Sequence, residues 1–159
     1  MTKRRTALGL LILALIPLGV SAKDKEIKAP SDFKLVYRSS AGQLEQATKE
    51  QVEVSGGKVT VTRRAKPIGS SSMADESRSY PVDGAQLAAL WAIVQESGFL
   101  KWPKNAEGPH QSQVEESFEI SANGKTVSHG RWEEGNQEAF RVLFERYNSW
   151  FNGIRTLRF

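Results

Sequence analysis

Two histidines, His110 and His129, are the imidazoles of a chain of 159 residues that contains no cysteine, so a metal site or a nucleophile's base would have to be assembled around one of them. A metal centre needs several converging ligands, and the sequence has no histidine pair at helical ligand spacing and no His-Glu-x-x-His run. The pattern predicts no metal and no cofactor. His110 falls in a polar loop, and His129, near the end of a predicted strand, reads as a surface or strand-edge residue. Nucleophilic catalysis would require a serine held against a base. Gly69-Ser70-Ser71-Ser72 has the serines but lacks the Gly-x-Ser-x-Gly elbow between strand and helix. Its composition is that of a linker, which makes Ser71 and Ser72 solvated loop residues.

The carboxylate pairs read in the same way. Glu115 and Glu116 are neighbours on a predicted strand and point to opposite faces, so they cannot act on one bond together. Glu133 and Glu134 precede a predicted helix, whose N-terminus favours negative charge. Neither pair has the converging geometry of glycoside hydrolysis. Of the four tryptophans, Trp91 and Trp150 fall on apolar helix faces, whereas Trp102 and Trp132 stand beside a proline-containing loop and a glycine-rich turn. Aromatic residues outside the periodic core either serve a binding surface or cap the ends of the fold.

The elements that must position these groups follow from periodicity. Phe33, Leu35 and Tyr37 alternate with polar neighbours as in a half-buried strand. Val52 and Val54, then Val59 and Val61, repeat that alternation on either side of Gly56-Gly57, which predicts a hairpin. Pro67 to Ser79 is rich in glycine and serine and predicts a mobile surface loop, with Arg78 to Val82 a short strand leading out of it. Asp83 and Gln86 form a capping box, Val82 and Leu87 a hydrophobic staple, and Gly98 a left-handed terminator, bounding a helix from Gly84 to Ser97. Val114 to Ser121 and Lys125 to His129 are strands joined by Asn123-Gly124. A second helix carries Phe140, Leu143, Phe144, Tyr147, Trp150 and Phe151 at spacings of three and four, and Gly153 is its expected end. Together these predict an α+β fold: an antiparallel sheet of five to six strands with two helices packed on one face.

The first 22 residues have the form of an export signal, with basic Lys3, Arg4 and Arg5, an apolar run from Ala7 to Leu15, and Val20-Ser21-Ala22 before the expected cleavage. The run is shorter than the ~20 residues that span a bilayer. Of the 22 basic residues three lie in this segment and none of the 18 acidic ones do, which leaves residues 23–159 a charge of +1. The pI of 9.4 is therefore no argument for nucleic acid. Residues 23–31 read as a flexible leader and 32–159 as a single domain. A periplasmic or extracellular chain without cysteine must hold itself together by its core. The Ile154 to Phe159 tail is expected to pack against the sheet or fray.

The order of elements resembles that of small bacterial proteins built from two sheet-plus-helix halves, among them the emfourin-type inhibitors of thermolysin-like metalloproteases. Residues Phe33 to Gly42, Tyr80 to Leu90 and Phe118 to Lys125 carry the likeness. It departs from the family where Ser39-Ser40-Ala41-Gly42 replaces a glycine pair, and no inhibitory residue carries over. The lack of a catalytic constellation, together with the loop around Ser70 to Ser77 and the non-core Trp102 and Trp132, leads to the expectation of a non-enzymatic exported domain that binds another exported protein. Such a domain would present the loop around Ser70 to Ser77 with Trp102 and Trp132, in the manner of an inhibitor. The alternatives are a glycan or small-molecule module using Tyr37, Trp102, His110 and Trp132, and a hydrolase using Glu115 or Glu116 with His110.

Overall fold

The computed structural model describes residues 27–42, 48–67, 69–108 and 114–156. The expected signal segment, His110 and the last three residues lie outside these. Six strands, β1 (Lys34–Ala41), β2 (Thr48–Ser55), β3 (Lys58–Ala65), β4 (Ala74–Pro81), β5 (Val114–Ala122) and β6 (Lys125–Gly130), form one antiparallel sheet in the order β4-β3-β2-β1-β5-β6. Helices α1 (Gly84–Ser97) and α2 (Gln137–Thr156) pack against it. The fold is α+β, as the periodicity predicts.

Local chemistry sets most of these boundaries. Gly56 and Gly57 (φ 57° and 73°) and Asn123 and Gly124 (φ 53° and 73°) supply the left-handed pairs that two-residue hairpins require. The second turn is also tied down by Asp32, whose carboxylate accepts from the Asn123 and Gly124 N–H groups at 2.9 and 2.7 Å. In α1 the Asp83 carboxylate accepts from the Gln86 N–H at 2.8 Å and the Gln86 side chain accepts from the Asp83 N–H at 2.9 Å. Gly98 ends the helix at φ 69°.

Alternation sorts side chains between the two sheet faces. Leu35, Tyr37, Val52, Val54, Val59, Phe118 and Ile120 face the helices and meet Leu90, Val94, Phe140, Leu143 and Tyr147 in one core. Trp91 packs on Phe33 at 5.3 Å, and the Trp150 indole donates to the Gln86 carbonyl at 2.9 Å, tying α2 to α1. The opposite face is polar and carries ion pairs such as Lys34 with Glu53 at 3.2 Å and Arg38 with Glu119 at 3.3 Å. Only one face of the sheet is roofed by helices, the arrangement antiparallel sheets tolerate.

Two expectations need correction. The segment expected to be a loop up to Ser79 is strand from Ala74 onward, held by an eight-residue register against β3. It has no apolar alternation to read, because nearly all its side chains are exposed on both faces. Helix α2 does not stop at Gly153 but runs to Thr156. Ile154 extends the buried stripe of Tyr147 and Phe151, and that burial offsets the roughly 1 kcal/mol that an internal glycine costs. At the start of the fold, Ala29 packs against the core.

Candidate functional site

Mostly on the sheet face turned away from the helices, towards the end formed by the last residues of β1 and β3 and the first of β2 and β5, an open cleft of about 530 Å³ is found. Its walls hold basic Arg38, Lys49 and Arg64 and acidic Glu50, Glu107 and Glu115. Trp132 lines one side. Alternation places Glu115 outward and exposed and Glu116 inward and only 9% exposed, on opposite faces as two neighbours on a strand must be.

Glu116 is the buried carboxylate of this cleft, and both its oxygens are engaged. The Tyr37 hydroxyl donates to Oε1 at 2.5 Å, and the Arg131 guanidinium pairs with Oε2. Burial first, and then the Glu116 hydrogen bond and charge, push the Tyr37 phenol above its usual range, so it stays protonated and donating. Trp132 is 8% exposed, donates through Nε1 to the Val114 carbonyl at 3.1 Å, and has Arg131 stacked 5.1 Å from its ring centre. It is a fixed wall of the cleft rather than an open platform. Gly130 lets Glu107 approach this wall, since a Cβ there would meet Glu107 Oε1 at 2.9 Å.

A second group of ionisable residues sits at the β6 edge. His129, expected at the surface, is 1% exposed, and its Nδ1 lies 2.6 Å from Oε2 of a fully buried Glu133. Glu133 was expected to serve the N-terminus of α2. Its carboxylate instead turns back to the sheet, where it pairs with Lys104 and accepts from the Gly130 N–H at 3.1 Å and the Asn136 amide at 3.1 Å. Burial pushes this carboxyl up, but the hydrogen bonds from His129, Lys104 and Gly130 outweigh it and hold the group at about 2.

A histidine oriented by a carboxylate is half of a nucleophilic site. Here, however, the ring is enclosed by Phe99 at 5.0 Å and Trp102 at 5.5 Å, and Nε2 has no hydrogen-bond partner among the described residues. Among the described residues no three His, Cys, Asp or Glu side chains gather where they could hold a metal ion.

The residues singled out in the sequence are therefore dispersed. Trp132 lines the cleft. Trp102 belongs to the β6 cluster, its Nε1 donating to the Ser97 carbonyl at 2.9 Å. Ser71 and Ser72 are exposed in the short bend before β4, and His110 lies outside the described residues. Sequence reasoning missed Glu107, Arg131 and Lys104. The one local signal was Gly130, whose turn folds Arg131 and Glu133 back on β5 and β6. No protein-family model matches the chain, and a search of curated proteins finds no match either.

Proposed function

We propose that this chain is an exported, non-enzymatic domain that binds a segment of another exported protein in the cleft at the open end of its sheet, and that in doing so it inhibits an enzyme of the cell envelope. The carrying observation is the cleft itself. It is open and broad, and it presents three basic and three acidic side chains around a rigid tryptophan edge, while its one buried carboxylate is already satisfied by Tyr37 and Arg131. Alternating charges on rigid strands favour a polypeptide segment of matching pattern, since complementary fields steer and register a partner. A reacting group would need to be free and aimed into the cleft, whereas the Glu116 oxygens are held by Tyr37 and Arg131.

The glycan reading loses support from the same geometry. Stacking on sugars needs exposed ring faces, but Tyr37 is buried, Trp132 is nearly so, and Trp102 lies in the β6 cluster. A photo-crosslinker placed at Ser40, on the cleft wall, tests the proposal in envelope extracts. It should trap one defined protein, the same residue at Thr126 should not, and Arg38→Glu with Arg64→Glu should abolish the product. Failure to trap any protein at Ser40, or turnover of a substrate by the purified chain, would overturn the reading.

A further inference from the structure

The two outer strands of the sheet treat their free edges differently, and β4 leaves its edge uncovered. Val82 N–H donates to Gly57 O at 2.8 Å, which makes that registered pair a hydrogen-bonded one. Bonded and non-bonded pairs alternate along an antiparallel ladder. It follows that Ala74, Glu76, Arg78 and Tyr80 direct their N–H and C=O groups to β3, whereas Asp75, Ser77 and Ser79 direct theirs away from the sheet. Pro81 falls on the outward set, where its missing N–H costs the ladder nothing. No described segment pairs with this edge. It is eight residues long and keeps an unbroken register.

We propose that β4 pairs with β4 of a second copy of this chain, antiparallel about a two-fold axis through Ser77, to give a continuous twelve-stranded sheet in the dimer. The charge pattern selects this occupant. With Ser77 opposite Ser77, the outward groups of Ser77 bond across the axis and those of Asp75 bond to Ser79, the only parity an antiparallel pair at this edge allows. The same register sets Glu76 of each copy opposite Arg78 of the other, twice, on the helix face. Glu76 already faces Arg63 across β3, and Arg63, Arg78 and Arg155 share a small cavity of about 170 Å³ with Glu76. Among the described residues none of these three arginines has an ion pair. Slipping the register by two sets Glu76 opposite Glu76 or Arg78 opposite Arg78. The charges that discourage other strands from adding thus admit one self-complementary alignment.

Light scattering and sedimentation of the exported protein over a concentration series test this. The expected result is a mass twice that of one chain, falling to one on dilution. Ser77→Pro removes an outward N–H without touching the β3 ladder and should leave a folded monomer. Arg78→Glu should weaken association by roughly thirtyfold, because two attractive cross-strand pairs become repulsive. Glu76→Arg alone should do the same, and an equimolar mixture of the Arg78→Glu and Glu76→Arg chains should return to the double mass, since every pair is then complementary. A monomer up to about 1 mM, the weak limit of specific association, overturns the proposal. A dimer that survives both single charge changes also overturns it, as does a mixture that fails to reassociate.

Discussion

The two edges of this sheet meet the same problem with opposite solutions. At β6 the alternation fixed by the Arg131 N–H bond to Glu116 O turns Ser128 and Gly130 outward. Lys104 donates to the Ser128 carbonyl at 3.2 Å and Glu133 accepts from the Gly130 N–H at 3.1 Å. The paired ammonium and carboxylate thus stand where a seventh strand's N–H and C=O would be, and Phe99, Trp102 and His129 pack behind them. Among the described residues, the outward groups of Asp75, Ser77 and Ser79 on β4 meet no side chain of this kind. One edge is closed by an ion pair whose carboxylate is buried, and the other carries exposed charges. Unpaired strand edges invite association unless they are covered, so the contrast locates where the molecule can add to itself.

Breaking the closed edge should cost the most. Glu133→Ala leaves the buried His129 and Asn136 side chains and the Gly130 N–H without this acceptor and frees the exposed Lys104, and the expected loss in urea unfolding is on the order of 3 kcal/mol. Acid should act through the same group. Its carboxyl sits at about 2 in the fold against an ordinary value of 4.5, so the folded state favours the ionised form and is stabilised above pH 4.5. That stabilisation, on the order of 3 kcal/mol, is lost as pH falls from 4.5 towards 2. Denaturation curves across that window should show the loss in the native chain, and Glu133→Gln should flatten it.

Smaller effects sharpen the comparison. Trp102→Phe removes the Nε1 bond to Ser97 and part of the cover over His129, with an expected cost of about 1 to 2 kcal/mol in the same assay. On the open edge, Arg78→Ala removes a side chain that touches no ion partner among the described residues, and at monomer concentrations it should change stability by less than about 0.5 kcal/mol. A large loss there would mean that β4 is covered after all.

What could be read from the sequence was what neighbouring residues decide. The capping box of Asp83 and Gln86, the Gly98 terminator and the two hairpin turns act over three or four positions, and α1 lies where they put it. The helix-facing strands carry valine and aromatic alternation, so the strands themselves were legible too, whereas the place of β1 between β2 and β5 was not. Strand β4 was largely hidden because Ala74 to Ser79 contains no large apolar residue, and its order comes from backbone bonds to β3 that composition does not encode. Glu133 was misread for a related reason. Its neighbour in sequence is a helix, but its partner Lys104 lies 29 positions away, and only the assembled sheet brings them together. The cleft likewise needs the ends of several strands and the Gly130 turn at once.

Amide hydrogen exchange, resolved by residue and performed at a dilution where the chain is monomeric, tests the contrast between the two edges most directly. The Gly130 amide, bonded to Glu133, and the Glu76 and Arg78 amides, bonded to β3, should be protected by at least about a hundredfold over Ser77 and Ser79, whose amides face solvent. Protection of Ser77 and Ser79 in the monomer, or exchange of Gly130 as fast as theirs, would contradict a sheet closed at one edge and open at the other.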